Sequence, residues 1–456
     1  MAKDVEKGTD KGTTRRGFLG AVVGAVAGLA VGVAAGSYAF PRVVEKPVEK
    51  VVERVVEKPV AAGIPSVKGN EFTWKEPGKT NIVVIGGGPG GVSFVRYLVE
   101  HFKESPPFTI TIIDKEPYWV SGPSHVDFVG GMRNIEEVTV SIANLELKNV
   151  VRFVNAEVAG LDPENRVVHT NIGFTRYDYL VLSPGIELAT WEIEGLSGAP
   201  NLHAWKPGTA IKLGEAVKRL REGTIVLSAP PSPYKCPPGP YEVANLIGEA
   251  TMDRRDRVKI VFIDAKPNPE PGALASIFKQ YFEKYGIEYV PGDPILRVDP
   301  KEKVVETEKG EKFKYDVLSI LPRNVAPDFA RAAGLGDRYI EVDLSTFRSK
   351  KYDDIYAIGD AAQLPVSKAA FAATNQGQRL ADIFAGLLGK SVKPATVSNI
   401  CWPYVSKTEA TIIEVAWDEN LQLQPGYPKV QPPSKELAQT RVSWEMGLLG
   451  LWRPLA

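Results

Sequence analysis

A chain of 456 residues carries only two cysteines, Cys236 in "KCPPGPYE" and Cys401 in "SNICWPYV". A thiol can serve as nucleophile, metal ligand or half of a disulfide. One intramolecular pairing is open to these two; in a reducing compartment they would be two unrelated core thiols. Cys236 stands just before a predicted helix with Pro240 at its first position and Val243, Leu246, Ile247 and Ala250 as its apolar stripe. The positive end of that helix is expected to lower the Cys236 pKa and sharpen its reactivity. Glu242 falls in the first turn, where it serves either the helix dipole or acid–base exchange with the thiol. Metal chemistry has no support. The four histidines are scattered, no Cys/His group has zinc spacing, and no C-x-x-C-H is present to attach a c-type haem.

These side chains need elements to hold them, and two nucleotide-domain patterns supply candidates. Residues 81–98, "NIVVIGGGPGGVSFVRYL", read as a buried strand, a glycine turn and a helix. In Gly86-x-Gly88-x-x-Gly91 the first glycine permits the turn, the second admits a pyrophosphate and the third lets helix and strand pack closely. The pyrophosphate would sit on the helix N-terminus. The next strand, "FTITIID", ends about 20 residues on in Asp114, with Lys115 beside it, where an acid binds ribose hydroxyls. Two later segments select FAD over NAD. "YDYLVLSPGIE" is a strand ending in a turn with Pro184 and Gly185, and "DIYAIGDAA" is a strand followed by Gly359 and Asp360. In two-dinucleotide flavoproteins, which this pattern resembles, an aspartate at the latter position binds the ribityl–phosphate part of FAD; its plainer use is as a helix N-cap.

The second pattern, "GTIVLSAPP" to "RVKIVFIDAKP", copies an NAD domain, but its phosphate loop is "APPSPYKCPPGP". Six prolines remove N–H donors and no G-x-G-x-x-G exists, so the slot is expected to be filled and closed to NADH. The predicted fold is α/β. Two Rossmann-like three-layer domains of the glutathione reductase type precede a C-terminal α+β domain. The boundaries read as FAD domain 79–190 and 321–392, degenerate NAD domain 191–320, and interface domain 393–456.

The N-terminus reads as an export address. Arg15 and Arg16 in "TTRRGFL" precede a Gly/Ala-rich span that is uncharged from Gly17 to Phe40. This resembles a twin-arginine signal. The span is also long enough to cross a ~30 Å bilayer and so to remain as a membrane anchor. The low-complexity "VVEKPVEKVVERVVEKPV" lies within a spacer, 42–78, between signal and body. The catalytic body is therefore expected outside the cytoplasm, where a disulfide persists.

"RVVHTNIGFTRYDYLVLSPGIEL", "LHAWKPG", "APPSPYKCPPGPYE", "VDLSTF", "IGDAA" and "NQGQ" resemble the flavoprotein subunit of flavocytochrome c sulfide dehydrogenase, a family related to sulfide:quinone oxidoreductases. The resemblance runs from about residue 80 to the C-terminus. It implies sulfide as substrate, FAD as cofactor and a redox-active disulfide between Cys236 and Cys401. Sulfide would open that bridge by thiol–disulfide exchange, and the freed thiolate would pass the electron pair to the flavin. Glu242 would shuttle protons. The family often tethers FAD through a cysteine where "PYWVSGPSH" has Ser121, so non-covalent FAD is implied here. A helix beginning near residue 374, with Asn375 and Gln376, would face the flavin pyrimidine edge, Lys368 would attract sulfide or flavin, and Trp402 would cover the site. The acceptor implied is a separate c-type cytochrome subunit. Quinone is the alternative, with the apolar tail "WEMGLLGLWRPLA" as a membrane contact, a quinone slot or a buried helix.

Two rivals stand against this reading. A type II NADH dehydrogenase shares the fold, and a non-catalytic flavoprotein would use the cysteines only as a staple. A nucleic-acid partner is excluded by charge, since 55 basic residues balance 55 acidic ones.

Overall fold

The computed structural model describes residues 69–455. The twin-arginine motif, the apolar span and the valine-rich repeat lie outside the described residues.

Along the chain run β1 (Thr80–Ile85), α1 (Pro89–His101), β2 (Phe108–Asp114), α2 (His125–Gly130), β3 (Val151–Asn155) and β4 (Tyr179–Leu182). Then come β5 (Gly223–Ala229), α3 (Gly239–Ala250), β6 (Val258–Asp264), β7 (Ile287–Pro291) and β8 (Val317–Ser319). β9 (Ile355–Ala357), α4 (Ala370–Leu387), β10 (Ser398–Cys401), β11 (Ala410–Ala416), β12 (Lys429–Ser434) and α5 (Lys435–Leu449) follow, with shorter strands and further helices between these elements.

The first sheet has the order β9-β4-β1-β2-β3, parallel throughout. Its strands are buried on both faces, which is why β1 reads as the unbroken apolar run Ile82–Ile85 rather than an alternating one. The sheet is closed by β9, from far down the chain, so the second nucleotide domain is inserted between β4 and β9. That inserted sheet, β7-β6-β5-β8, is also parallel throughout. The third, β10-β11-β12, is antiparallel and carries α5. The predicted α/β class with a C-terminal α+β part is the architecture found.

Two small-residue contacts bring the site together. A Cβ on Gly377 of α4 would lie 2.3 Å from the Gly90 carbonyl of α1, so these helices meet backbone to backbone. Ser93 Oγ adds a 2.7 Å hydrogen bond to the Thr374 carbonyl. Both helix N-termini therefore face one cavity at the carboxyl edge of the first sheet. The sequence put the start of α4 near residue 374. It begins at Ala370, because "AAFAATNQ" has no breaker and its small residues favour helix. The C-terminal tail is folded in: Trp452 is 1% exposed, stacks flat on Trp119 at 4.3 Å and donates to the Gly87 carbonyl.

Candidate active site

A cavity of about 310 Å³ sits where the three sheets meet, and both cysteines line it. At one end is a dinucleotide cradle. Gly86 turns with φ +107°, and a Cβ there would lie 2.1 Å from the Ser183 carbonyl, so only glycine fits. Gly88 is the α1 N-cap and has open space above its Cα; a Cβ would meet nothing nearer than Trp119 Nε1 at 3.9 Å. A pyrophosphate could approach the free N–H groups of α1 at this opening. Gly91 is closed, with a Cβ position 2.1 Å from the Gly86 carbonyl, which accords with a packing role. Asp114 accepts from the Gly87 N–H at 2.7 Å and from the Glu116 N–H at 2.9 Å, and burial raises its pKa. Lys115 is exposed and lies outside the cavity wall.

Further along the wall are Pro184, Gly185, Gly359 and Asp360. Asp360 lies in a 3-10 turn rather than at a helix N-cap, and its buried Oδ1 has no hydrogen-bond partner. An unpaired buried oxygen facing a cavity is what a ligand hydroxyl would satisfy. Its Oδ2 stands 3.9 Å from Lys235 Nζ.

Several predicted site residues stand back from the wall. Lys368 Nζ turns away, donating to the Asp360 and Ala362 carbonyls at 2.8 Å each and lying 3.8 Å above the Tyr339 ring. Burial lowers its pKa to about 8. The lysine of the cavity is Lys235, which the sequence reading missed although it adjoins Cys236. Asn375 and Gln376 sit in the second turn of α4, behind the wall. The Asn375 amide oxygen receives Ser398 Oγ at 2.9 Å, and the Gln376 amide oxygen receives the Gly359 N–H at 2.7 Å. At the α4 end of the cavity the wall is Ala369, Ala370, Phe371 and Ala373. Ser121 is fully buried outside the wall, with its hydroxyl donating to Glu445.

Cys236 sits in left-handed backbone, φ +56°, which is unfavourable for a residue with a Cβ. Its surroundings force it there. The Cys236 N–H donates to the Lys368 carbonyl at 2.7 Å, its carbonyl receives the Gly239 N–H at 2.9 Å, and Lys235 N–H donates to Asn324 Oδ1 at 2.7 Å. Cys401 ends β10 and receives a hydrogen bond from Asn399 Nδ2 at 3.3 Å. Both are free thiols in this structure. The expected lowering of the Cys236 pKa is overturned. Burial pushes it well above the ordinary thiol range, and Cys401 and Glu242 add to the rise; Pro238 and Pro240, at the helix start, bring no N–H of their own. Burial likewise raises the Cys401 thiol to about 11.

Glu242 lines the same cavity and is 2% exposed. One oxygen accepts from the Tyr404 N–H at 3.0 Å and from Arg441 at 2.6 Å. Burial raises its carboxyl to about 7 in spite of that ion pair, so it can change protonation near neutrality, as an acid–base group must. Arg441, from α5, also donates to the Trp402 and Pro123 carbonyls at 2.7 Å each. Nothing local in the sequence joins it to Glu242. Trp402 does cover the cavity, packed in a cluster with Phe371 and Trp444.

At the carboxyl ends of β5 and β6, where a second nucleotide would be held, the acid is already partnered by side chains. Asp264, at the end of β6 where a nucleotide domain keeps its ribose-binding acid, is fully buried. It receives Tyr241 Oη at 2.7 Å, Tyr289 Oη at 2.9 Å and Lys266 Nζ at 2.8 Å. Lys266 also donates to the Pro230 carbonyl at 2.8 Å and lies 4.9 Å above the buried Tyr234 ring. The proline loop and three tyrosines, Tyr234 and Tyr241 among them almost wholly buried, pack around this acid.

Fold and cradle together define an oxidoreductase of the two-dinucleotide-binding class. Residues 80–225 match the pyridine nucleotide-disulphide oxidoreductase family profile. Residues 211–322 match that of the sulfide dehydrogenase (flavocytochrome c) flavoprotein chain, central, a span that contains the proline–cysteine loop. The resemblance read from the sequence holds: over this span the chain is similar to the flavocytochrome c sulfide dehydrogenase flavoproteins. It is 27% identical over 314 residues to the mitochondrial sulfide:quinone oxidoreductase of Dictyostelium discoideum, covering 65% of this chain and 68% of that one. It is 24% identical over 416 residues to the type II NADH:quinone oxidoreductase of Staphylococcus aureus, covering 82% and 97%. In fold it is similar to the sulfide:quinone oxidoreductase of Aquifex aeolicus, with TM-score 0.71 and 22% identity over 82% of this chain and 91% of that one.

Proposed function

We propose that this chain is an FAD-dependent sulfide oxidoreductase in which Cys236 and Cys401 form a redox-active bridge, with a c-type cytochrome as electron acceptor. The observation that carries the reading is that the only two cysteines, far apart in sequence, line one cavity with the dinucleotide cradle. The residues fit FAD. Gly86, Gly88 and the α1 N-terminus would hold its pyrophosphate, Asp114 its ribose, Asp360 its ribityl–phosphate part, and the α4 N-terminus its pyrimidine edge. Bound FAD would accept an electron pair and release it singly. Ser121 offers no thiol for a thioether, so attachment would be non-covalent.

Hydrosulfide would attack one sulfur of the bridge, breaking S–S and leaving a persulfide on one cysteine and a thiolate on the other. A second hydrosulfide would take the sulfane sulfur away. Overall, sulfide loses two electrons and its proton, and the electron pair passes from the cysteines to the cofactor. Lys235, with its ammonium near the wall, would draw the anion in.

A second reading, quinone as acceptor, is favoured by the apolar wall of Phe371, Trp402 and Trp444. Anaerobic sulfide should bleach the flavin band; reoxidation by cytochrome c but not by a quinone analogue would support the first reading, and the reverse the second. The twin-arginine segment supports a location outside the cytoplasm.

A further inference from the structure

The loop that carries Cys236 is held from several sides. Tyr339 Oη donates to the Pro233 carbonyl and Tyr234 Oη to the Pro237 carbonyl, at 2.9 Å each. Asn324 Oδ1 receives the Lys235 N–H at 2.7 Å. The peptide plane between Lys235 and Cys236 is gripped on both edges. Its carbonyl receives Trp205 Nε1 at 3.1 Å, and its N–H donates to the Lys368 carbonyl at 2.7 Å. Trp205 lines the cavity beside the thiol: a Cβ on Gly239 would lie 3.3 Å from its ring edge and 3.0 Å from Cys236 Sγ. The Trp205 backbone N–H donates to His203 Nδ1 at 3.2 Å, and burial lowers the His203 pKa to about 4, so this nitrogen stays an acceptor at neutral pH.

The grip has a polarity. Cys236 stays in the left-handed region, φ +56°, while this plane keeps its present face. A half-turn of the plane, rotating ψ of Lys235 and φ of Cys236 together, would bring Cys236 into extended backbone, where a residue with a Cβ is at ease. The indole offers a donor on one side and Lys368 an acceptor on the other. A flipped plane would therefore set N–H against N–H and carbonyl against carbonyl, leaving these groups unpaired at a cost. Lys368 contributes main chain to this grip, and the indole N–H of Trp205 is its side-chain half. The consequence reaches the sulfur, because a disulfide forms when its Cβ atoms stand about 3.5–4.5 Å apart. A loop free to relax meets that condition less often.

We propose that Trp205 is a positioning residue for the cysteine pair, latching the Lys235–Cys236 peptide so that Cys236 stands ready to close on Cys401. The role rests on the functional reading above. Closure takes two electrons and two protons from the two thiols as the S–S bond forms; with glutathione disulfide as oxidant, each bridge closed yields two glutathione thiols. Loss of the indole N–H lets the open pair relax, while the bridged pair remains tied through its sulfurs. The balance then moves toward two thiols. The strain of one left-handed residue corresponds to roughly a tenfold change in such an equilibrium.

The test compares wild type, Trp205→Phe and Trp205→benzothienylalanine, an isostere that puts sulfur in place of the indole N–H and keeps the ring. Flavin-loaded protein is equilibrated anaerobically across glutathione redox buffers and quenched in acid, and its open thiols are counted by alkylation and mass spectrometry. At fixed glutathione, both variants should need about tenfold more glutathione disulfide than wild type to close. An isostere that closes together with wild type overturns the proposal, even where Trp205→Phe shifts, because ring packing would then be the cause. A wild-type pair that stays open in every buffer overturns the proposal and the functional reading together. A wild-type pair that closes, under a flavin that sulfide does not bleach, defeats the functional reading alone, and the isostere comparison still decides the latch.

Discussion

Replacing Arg441 by methionine separates what the buried ion pair does from what the arginine's hydrogen bonds do. In the folded protein Glu242 is raised to about 7, against an ordinary value of about 4.3. The native state therefore binds the extra proton, and stability falls as pH climbs from about 4.3 to about 7, then levels off. Arg441 opposes that rise, so without it the Glu242 pKa moves higher and the decline continues above neutrality. The slope is about 1.4 kcal/mol per pH unit, or about 2 kcal/mol between pH 7 and pH 8.5. The carbonyls of Trp402 and Pro123 also lose their donor, a pH-independent cost of about 1–3 kcal/mol. The expected penalty is thus about 1–3 kcal/mol at pH 5.5 and about 3–5 kcal/mol at pH 8.5, in the range for breaking a buried pair. Thermal unfolding of the holoprotein at the two pH values measures the difference. Equal losses of Tm at both would refute the reasoning, because the buried carboxyls whose rise Arg441 opposes, Glu242 and Asp127, are what make the penalty grow with pH.

Two further outcomes follow from the cradle and the partnered Asp264. Gly86→Ala should yield protein without flavin absorbance, since its Cβ position is 2.1 Å from backbone at φ +107°; a normal flavin complement would contradict the assignment of this turn. NADH, added anaerobically, should leave the flavin band unchanged, because tyrosine partners already engage Asp264, the acid that a second ribose would need; bleaching by NADH would return the type II dehydrogenase to contention.

Much of the fold was legible because its signals are local. The apolar run before Gly86, the spacing to Asp114 and the prolines around Cys236 each dictate backbone geometry within a few residues. The return of the chain to the first sheet was legible too, since strands 179–182 and 355–357 each end in a short turn, one with Pro184 and Gly185 and the other with Gly359 and Asp360. What the sequence hid is long-range. Arg441 lies on a helix with no marked apolar face, and only folding brings it to Glu242. Lys235 and Lys368 are equally basic on paper, and their roles divide only when two carbonyls claim Lys368. The Cys236 pKa was misjudged by the same route. A helix N-terminus was credited with lowering it, while the closure of the cavity around the thiol, invisible in sequence, acts more strongly in the opposite direction.

The most direct test of the account is an anaerobic sulfide titration of oxidised wild type and Cys401→Ser, followed at the flavin band. Wild type should bleach fully, and the variant should keep its flavin and fail to bleach. Flavin reduction that survives in Cys401→Ser, with only thermal stability lost, would show that the cysteines staple the fold and do not carry electrons.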